Sequence, residues 1–276
     1  MRYAIDIAPL GDLADPAAIV GLARAAESAG WDGLSIWDSL GVSMGTSAAD
    51  PFVTLAAVAA ATERLRLIAS VVALPRRRPQ LVVQAAATLD RVSGGRLVLG
   101  VGAGGDPGDF TSFGEDAAAP ARIARFDEAL PLIDALLRGE TVDHGGPGYV
   151  VRGVVGPRPI QQPRPPIWLG GMRPGALRRA ARWDGWIAIA VADDGSGINL
   201  SPEAFGQMVE LVRAERTKLG RAAEPFDIAV FGFSGPAGGA PQAYADAGAT
   251  WWLESLSPMR GSLDELHAVV TAGPPR

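Results

Sequence analysis

The side chains best suited to acid–base chemistry are Asp38 and Ser39, which directly follow Trp37, and Glu254 near the C-terminus. Two carboxyl groups can act as proton donor and proton acceptor when they lie within roughly 5–10 Å of each other. This pair therefore allows a carboxylate-based hydrolase as one function. Trp37 and Trp252 stand beside these acids, where they either shape an apolar substrate pocket or serve as ordinary packing.

A glycine-rich segment, Gly100-Val101-Gly102-Ala103-Gly104-Gly105, matches the pattern G-x-G-x-x-G. In a dinucleotide-binding fold this pattern opens a helix at once, but here a helical pattern resumes only at Ile123. Because glycine has no Cβ, the segment instead allows the backbone to lie close to a flat ligand. We therefore expect Gly102, Ala103 and Gly104 to form a wall of a ligand site.

A second pair of glycines, Gly170 and Gly171, is followed by Met172, Arg173 and a helical pattern. Free amides at the start of a helix and a guanidinium group both favour an anion. The segment predicts a phosphate-binding site, with a simple tight turn as the alternative.

One polar residue lies inside the third apolar run, 65–73, and a run of three arginines follows it. Ser70 interrupts an otherwise apolar segment and, taken alone, is an ordinary buried serine. The run Arg76-Arg77-Arg78 stands between two prolines, where it forms either a solvated turn or a grip for the acidic tail of a ligand.

The chain is poor in catalytic groups of its own. It has no cysteine, so thiolate nucleophiles and disulfides are excluded, and its two histidines, His144 and His267, are too few for a histidine-rich metal centre. The single lysine, Lys218, lies in a polar helical stretch that does not desolvate an amine for Schiff-base chemistry. We expect no metal site and a borrowed cofactor.

Composition narrows the class of partner. The net charge of −5 gives no sign of the basic face that nucleic acid requires. No apolar run approaches the roughly 20 residues that span a bilayer, and no signal-peptide pattern is visible at the N-terminus. These features predict a compact cytoplasmic protein that acts on a small molecule.

Eight strand-like runs alternate with eight helical patterns along the chain. The predicted strands are 3–8, 33–37, 65–73, 96–101, 166–170, 185–190, 226–231 and 250–254. The predicted helices are 16–29, 51–62, 79–92, 123–138, 175–182, 202–219, 241–247 and 263–271. Such alternation favours parallel strands, and the count of eight favours a closed (β/α)8 barrel over an open doubly wound sheet.

We predict one α/β domain, 1–276, with insertions or long loops at 102–122 and 139–165 between the fourth and fifth barrel strands. The second of these reads as a small hairpin that turns at 145–148. In (β/α)8 barrels the active site lies at the C-terminal ends of the strands, and most of the candidate residues above follow a predicted strand.

Taken together, several stretches resemble the bacterial luciferase-like family of flavin-dependent oxidoreductases. The resemblance covers nearly the whole chain in the expected order. The matching stretches are Ala29-Gly30-Trp31-Asp32-Gly33-Leu34-Ser35-Ile36-Trp37-Asp38, Asp50-Pro51-Phe52, 84–96, 99–104, 125–130, 162–171 and Ala180-Ala181-Arg182-Trp183-Asp184-Gly185-Trp186.

The resemblance implies a (β/α)8 barrel that binds reduced FMN or the deazaflavin F420. It implies a phosphate near Gly171, Met172 and Arg173, and an isoalloxazine ring over the third strand. There, family members often carry a non-proline cis peptide bond, for which Ser70-Val71 is the matching position. It also implies a homodimer and a separate flavin reductase.

Two departures from the family pattern bear on the cofactor. Relatives that use F420 often show a histidine where Ser39 stands, and a glutamate where Gly104 and Gly105 stand. Their absence favours FMN. We therefore expect a monooxygenase that uses reduced FMN and oxygen on a small organic substrate. F420-dependent hydride transfer, a barrel hydrolase and a non-catalytic flavin-binding protein remain alternatives.

Overall fold

The computed structural model describes residues 1–189, 199–234 and 240–275. Eight parallel strands close into a barrel in the order β1-β10-β9-β8-β7-β4-β3-β2, which confirms the predicted fold. The barrel strands are β1 (Arg2–Ile7), β2 (Gly33–Ile36), β3 (Arg66–Ala73), β4 (Leu97–Gly102), β7 (Ile167–Gly170), β8 (Gly185–Ala188), β9 (Asp227–Gly232) and β10 (Trp251–Leu256). β8 lies within the strand predicted at 185–190; the last residue of that prediction, Ala190, lies outside the described residues.

The remaining two strands form a hairpin between β4 and β7. β5 (Val142–Gly145) pairs antiparallel with β6 (Val150–Gly153), as the glycine-rich turn predicts. Glu128 fastens this hairpin to the preceding helix, because its carboxylate accepts from the backbone amides of Gly148 and Tyr149 and lies 2.9 Å from Nε2 of His144.

The helices follow the strands along the chain and cover the outside of the barrel. They are α1 (Pro16–Ser28), α2 (Pro51–Ala61), α3 (Pro79–Val92), α4 (Gly108–Thr111), α5 (Ala119–Leu137), α6 (Pro174–Ala180), α7 (Pro202–Lys218), α8 (Pro241–Asp246) and α9 (Leu263–Thr271). Proline stands at the start of several helices, and the side chains of Asp15, Asp50 and Ser201 accept from the first-turn amides of α1, α2 and α7.

Two details differ from the sequence-based expectation. Within 102–122 the chain forms the short helix α4, because Phe110 is almost fully buried and pulls that segment onto the barrel. α5 begins at Ala119 rather than at 123, with Pro120 in its first turn, where a proline costs no hydrogen bond. Both changes bring side chains over the strand ends.

Apolar side chains fill the interior of the barrel. Alternate residues point inward because successive side chains of a strand face opposite sides. These inward-facing side chains form an apolar plug that leaves no channel for a ligand, so a site must lie at the rim. The plug consists of Ala4, Ile68, Val98, Trp168, Ile187, Ala229, Phe231, Trp251 and Leu253.

Across these described segments, no helix has both the length and the apolar character that a membrane crossing requires.

Candidate functional site

A cavity of about 810 Å³ opens at the C-terminal ends of β2, β3, β4 and β7. Its wall is mainly apolar and is completed by side chains from α4 and α5. The volume falls in the range of sites for cofactor-sized molecules, and the position is that of a (β/α)8-barrel active site. Among the lining residues are Trp37, Asp38, Ser39, Val71, Gly102, Ala103, Gly104, Gly170, Gly171, Met172 and Arg173.

The backbone at the end of β3 has the geometry that the family resemblance implies. The peptide bond between Ser70 and Val71 is cis, which confirms that expectation. Ser70 is fully buried, whereas the side chain of Val71 lines the cavity. Val71 is therefore a side chain of β3 that a molecule in the cavity would contact.

The glycines beside Val71 make room for its methyl groups. A Cβ on Gly102 would lie 2.6 Å from Cγ1 of Val71, and a Cβ on Gly170 would lie 2.9 Å from Cγ2. Side chains at these two positions would therefore displace Val71. The two glycines shape the cavity in two ways: they leave space for the side chain of Val71, and they expose their own backbone to the cavity.

Gly104 makes room for the ring of Phe110 and not for Val71. Gly104 has a φ of +82° and a Cβ there would lie 2.8 Å from the ring of Phe110. Arg122 donates to the carbonyl oxygen of Gly104, and its guanidinium lies 5.2 Å from the centre of the Phe110 ring. α4 and α5 are thereby fastened to the end of β4, and Phe110 and Arg122 both line the cavity.

Asp38 lines the cavity but is engaged in ion pairs. Its side chain is 2% exposed, and Oδ1 lies 3.1 Å from Nη2 of Arg76 and 2.8 Å from Nη2 of Arg77. Oδ2 accepts from the backbone amide of Ala73 at 3.0 Å. Burial alone would lower the pKa of Arg77, but the hydrogen bonds and charge of Asp38 outweigh it, and that pKa is raised. The arrangement makes Asp38 an anchor for the strand ends.

Arg76 continues this network to α4. Its Nη1 lies 3.2 Å from Oδ2 of Asp109, and the same oxygen accepts from the backbone amide of Leu40. Within the described residues, Nε of Arg76 and Oδ1 of Asp109 are buried without a hydrogen-bond partner. Both atoms are buried inside this network, so they present no surface to a molecule in the cavity.

Ser39 and the glycine turn after β7 form the outer edge of the site. Ser39 Oγ accepts from the amide of Gly41 at 3.1 Å, which leaves its hydroxyl proton free. Gly171 has a φ of +135°, and its carbonyl oxygen accepts from Nε1 of Trp186 at 2.8 Å. Arg173 is exposed at the cavity rim and forms no ion pair with any residue of the described ranges.

The structure does not bring Glu254 or Trp252 into the cavity wall. Even-numbered residues of β10 face the helices, whereas Trp251, Leu253 and Ser255 face the barrel interior. Glu254 is fully buried, pairs with Nη1 of Arg260 at 2.6 Å and accepts from Nε1 of Trp252 at 2.7 Å. Trp252 packs against Tyr244. The strand-face alternation thus separates these residues from Asp38 and Ser39.

Sequence analysis named Asp38, Arg76 and Arg77, which pair with each other instead of forming a solvated turn, but it missed their neighbour Asp109 and one buried acid, Asp6. Asp6 is fully buried in β1, and Nε1 of Trp37 donates to its Oδ2 at 2.5 Å. Burial raises the pKa of Asp6 to about 8, although the polar groups of Ser35, Trp37 and Ser255 offset part of the rise. A carboxylate inside the apolar run Tyr3-Ala4-Ile5-Asp6-Ile7-Ala8 was the available signal.

The fold and the cavity define a (β/α)8-barrel enzyme with its site at the strand ends. The model of the luciferase-like monooxygenase family matches residues 4–271, and the chain belongs to that family. The uncharacterised protein Rv0940c of Mycobacterium tuberculosis is 32% identical over 236 residues, which are 78% of this chain and 76% of the relative.

Solved structures show the same fold at low identity. The monooxygenase RslO1 from Streptomyces bottropensis has a TM-score of 0.79 and 20% identity, with 98% of this chain and 96% of that chain covered. An F420-dependent secondary alcohol dehydrogenase in complex with an F420-acetone adduct has a TM-score of 0.80 and 16% identity, with 99% and 98% covered. A riboflavin lyase with modified FMN and riboflavin has a TM-score of 0.70 and 17% identity, with 90% and 66% covered.

Proposed function

We propose that this chain is a monooxygenase that uses reduced FMN and molecular oxygen on a small organic substrate. The observation that carries the proposal is the largely apolar cavity with Val71 on the end of β3 and glycines on both sides of it. Membership of the luciferase-like monooxygenase family supports the reaction class.

The residues present fit a flavin-type cofactor. Val71 offers an apolar surface for one face of a flat ring, while Ala103 and Leu169 line the same cavity. Arg173 at the rim would hold a phosphate group by charge-assisted hydrogen bonds, because it has no competing carboxylate among the described residues.

The chain's own residues supply shape and orientation. When bound, reduced FMN supplies the electrons and the reactivity toward oxygen. Phe110, Ile123 and Phe126 close the apolar side of the cavity and exclude water from it. Ser39 offers a hydroxyl group that can donate a hydrogen bond to the substrate or to the ring. In this proposal, a separate reductase supplies the reduced cofactor.

The carboxylate-based hydrolase is the less favoured alternative. That mechanism requires two carboxyl groups that face one substrate. Asp38 is occupied by Arg76 and Arg77, and Glu254 is paired with Arg260 outside the cavity wall.

F420-dependent hydride transfer is the second candidate, and one observation favours it. A depression of about 490 Å³ adjoins the main cavity at Gly175 and Arg179 and is lined by Arg178 and Arg182 as well. The guanidinium groups of Arg178 and Arg182 there suit a cofactor that carries several negative charges on its tail, whereas Arg179 is already paired with Asp127.

Titration of the apoprotein with FMN and with F420, followed by fluorescence quenching, tests the proposal. We expect saturable FMN binding and, after reduction of the FMN, substrate-dependent oxygen uptake. Tight F420 binding with no FMN binding would replace the monooxygenase by the hydride-transfer enzyme. FMN binding without oxygen uptake or substrate consumption would indicate a flavin-binding protein without catalysis.

We also propose that the chain forms a homodimer through α2 and α3. Their outer faces expose Val53 and Leu81, at 69% and 57%, among many alanines. Sedimentation of the wild type and of the double variant Val53→Asp and Leu81→Asp tests this, with a monomeric wild type as the contrary result.

A further inference from the structure

Asp6 lies between the apolar plug of the barrel and the cavity at its rim. Its neighbours one step down the strands are Ala4 on β1 and Leu253 on β10, both members of the plug. On the rim side, Trp37 lines the cavity and donates its indole hydrogen to Oδ2 of Asp6 at 2.5 Å. Asp6 is thus connected to the cavity through one side chain.

The surroundings of Asp6 contain hydroxyl groups and no charge that would balance a carboxylate. Ser35 on β2 and Ser255 on β10 are its register partners and flank it on both sides. Phe231 of β9 packs edge-on against Trp37, with ring centres 6.4 Å apart. The nearest acid along β10, Glu254, belongs to the outer face of that strand and is paired there with Arg260.

The other charged groups of these strands lie away from Asp6. Arg2 and Asp227 pair with each other at the opposite end of the barrel, and Asp32 accepts from the amide of Tyr3 before β2 begins. Asp38, after β2, is held by arginines at the rim. Within the described residues, Oδ1 of Asp6 has no hydrogen-bond partner.

A buried acid without a counter-charge stabilises a fold less than an apolar residue of similar size would. Groups of this kind are concentrated at functional sites, where their proton or their dipole is used. The pKa of Asp6, raised to about 8 by burial, agrees with a carboxyl group that keeps its proton at neutral pH. One oxygen then accepts from Trp37 while the other, Oδ1, carries the proton. Like Oδ1, the hydroxyl oxygens of Ser35 and Ser255 are buried without a hydrogen-bond partner within the described residues.

We propose that Asp6 is a positioning residue of the site: it fixes the Trp37 indole in the cavity wall and, between Ser35 and Ser255, holds a proton next to that wall. The inference does not depend on which cofactor the cavity takes. When Asp6 loses its proton, a negative charge appears next to Trp37 in the cavity wall, and the affinity of the site for an anionic ligand falls.

The test follows the indole N–H resonances of the seven tryptophans by proton–nitrogen NMR of the ligand-free protein. A Trp37→Phe variant assigns the Trp37 resonance. We expect this resonance to move with a single midpoint near pH 8, because ionisation of Asp6 strengthens the hydrogen bond that Trp37 donates. The Trp252 resonance is the internal reference, because that indole donates to Glu254, which is paired with Arg260.

An Asp6→Asn variant sharpens the test, since an amide keeps the acceptor for Trp37 but cannot ionise. We expect the Trp37 resonance of this variant to be independent of pH from 6.5 to 9.5. In the wild type we also expect the affinity for whichever of FMN and F420 binds to fall roughly tenfold over this range, and in Asp6→Asn we expect it to stay constant. A Trp37 resonance in the wild-type protein that is constant over this range, or one that still titrates in Asp6→Asn, would overturn the inference. Both results are obtained without any flavin, so failure of FMN binding remains a separate outcome.

Discussion

Val71 occupies the space that a side chain at Gly102 would need, since a Cβ there would lie only 2.6 Å from Cγ1 of Val71. The relationship gives the glycine-rich end of β4 a specific purpose. It allows the side chain of β3 that follows the cis peptide bond to lie against β4 and still face the cavity. The position of Val71 in the cavity floor therefore depends on the absence of a Cβ at Gly102.

The first prediction concerns this contact. A Gly102→Ala variant should fold but displace Val71, because overpacking of this kind typically costs about 1–3 kcal/mol. We expect cofactor affinity to fall at least about tenfold. The measurement is a fluorescence titration with FMN and F420.

The matched control is Gly105→Ala, another glycine of the cavity wall, where an added Cβ meets nothing within 4 Å. Affinity in this variant should stay within about twofold of the wild type. Equal losses in both variants would contradict the role assigned to Val71.

The second prediction concerns Asp38. Replacement by Asn removes the carboxylate that Arg76 and Arg77 share, and leaves Arg76 only Asp109 and Arg77 only Asp50 as ion-pair partners. Breaking a buried ion pair costs roughly 3 kcal/mol. Urea unfolding should show this loss. Asp143→Asn is the control, since Asp143 and its partner Arg152 are 85% and 75% exposed and such pairs contribute less than about 1 kcal/mol. Similar small effects in both variants would show that Asp38 is not an anchor.

The third prediction is the pH dependence that Asp6 imposes on stability. The pKa of Asp6 is about 8 in the folded protein, above its ordinary value of 3.8. The stability gained from the bound proton is complete below the unfolded pKa and is lost as the pH rises through 8. Between pH 5 and pH 8 the loss from this group amounts to up to roughly 4 kcal/mol.

An Asp6→Asn variant should lack this component. The difference in the free energy of unfolding between variant and wild type should therefore grow in favour of the variant as the pH is raised from 5 to 8. Chemical unfolding at several pH values measures it. Parallel pH profiles for the two proteins would be the contrary finding.

The fourth prediction uses the phosphate group of FMN as a probe. Arg173→Ala should weaken FMN binding about tenfold or more and leave riboflavin binding unchanged, because riboflavin has the same ring without the phosphate. Arg152→Ala, which removes a guanidinium from the remote hairpin, serves as the control. If Arg173→Ala weakens both ligands equally, Arg173 does not hold the phosphate.

Much of the fold was predictable because it is local in sequence. Apolar runs, helix caps such as Asp15 and Asp50, and helix-starting prolines recur with each βα unit, and eight such units favour closure. The hairpin followed from its glycine turn. The short helix α4 was missed because long-range contacts hold it in place, among them those of Asp109 with Arg76 and of Phe110 with Arg122.

The site residues that lie at or directly after a strand end were predictable from the sequence, and the other site residues were less so. Asp38, Val71 and Gly102 come together because parallel strands bring their C-terminal ends to one rim. Glu254 and Trp252 were misplaced because the register of β10 decides which face each residue takes. Arg76 and Asp109 are 33 positions apart, one after β3 and the other in α4, and no periodicity of the sequence reveals their pairing.

The most direct test of the account is a binding titration of the apoprotein with FMN and F420, combined with a cavity-filling variant. Gly105→Trp places an indole in open space of the cavity and should leave the fold intact. We predict that the wild type binds one flavin-type cofactor per chain and that Gly105→Trp binds none while keeping its circular dichroism spectrum. A wild-type protein that binds neither cofactor, or a folded Gly105→Trp variant that binds as tightly as the wild type, would contradict the central claim.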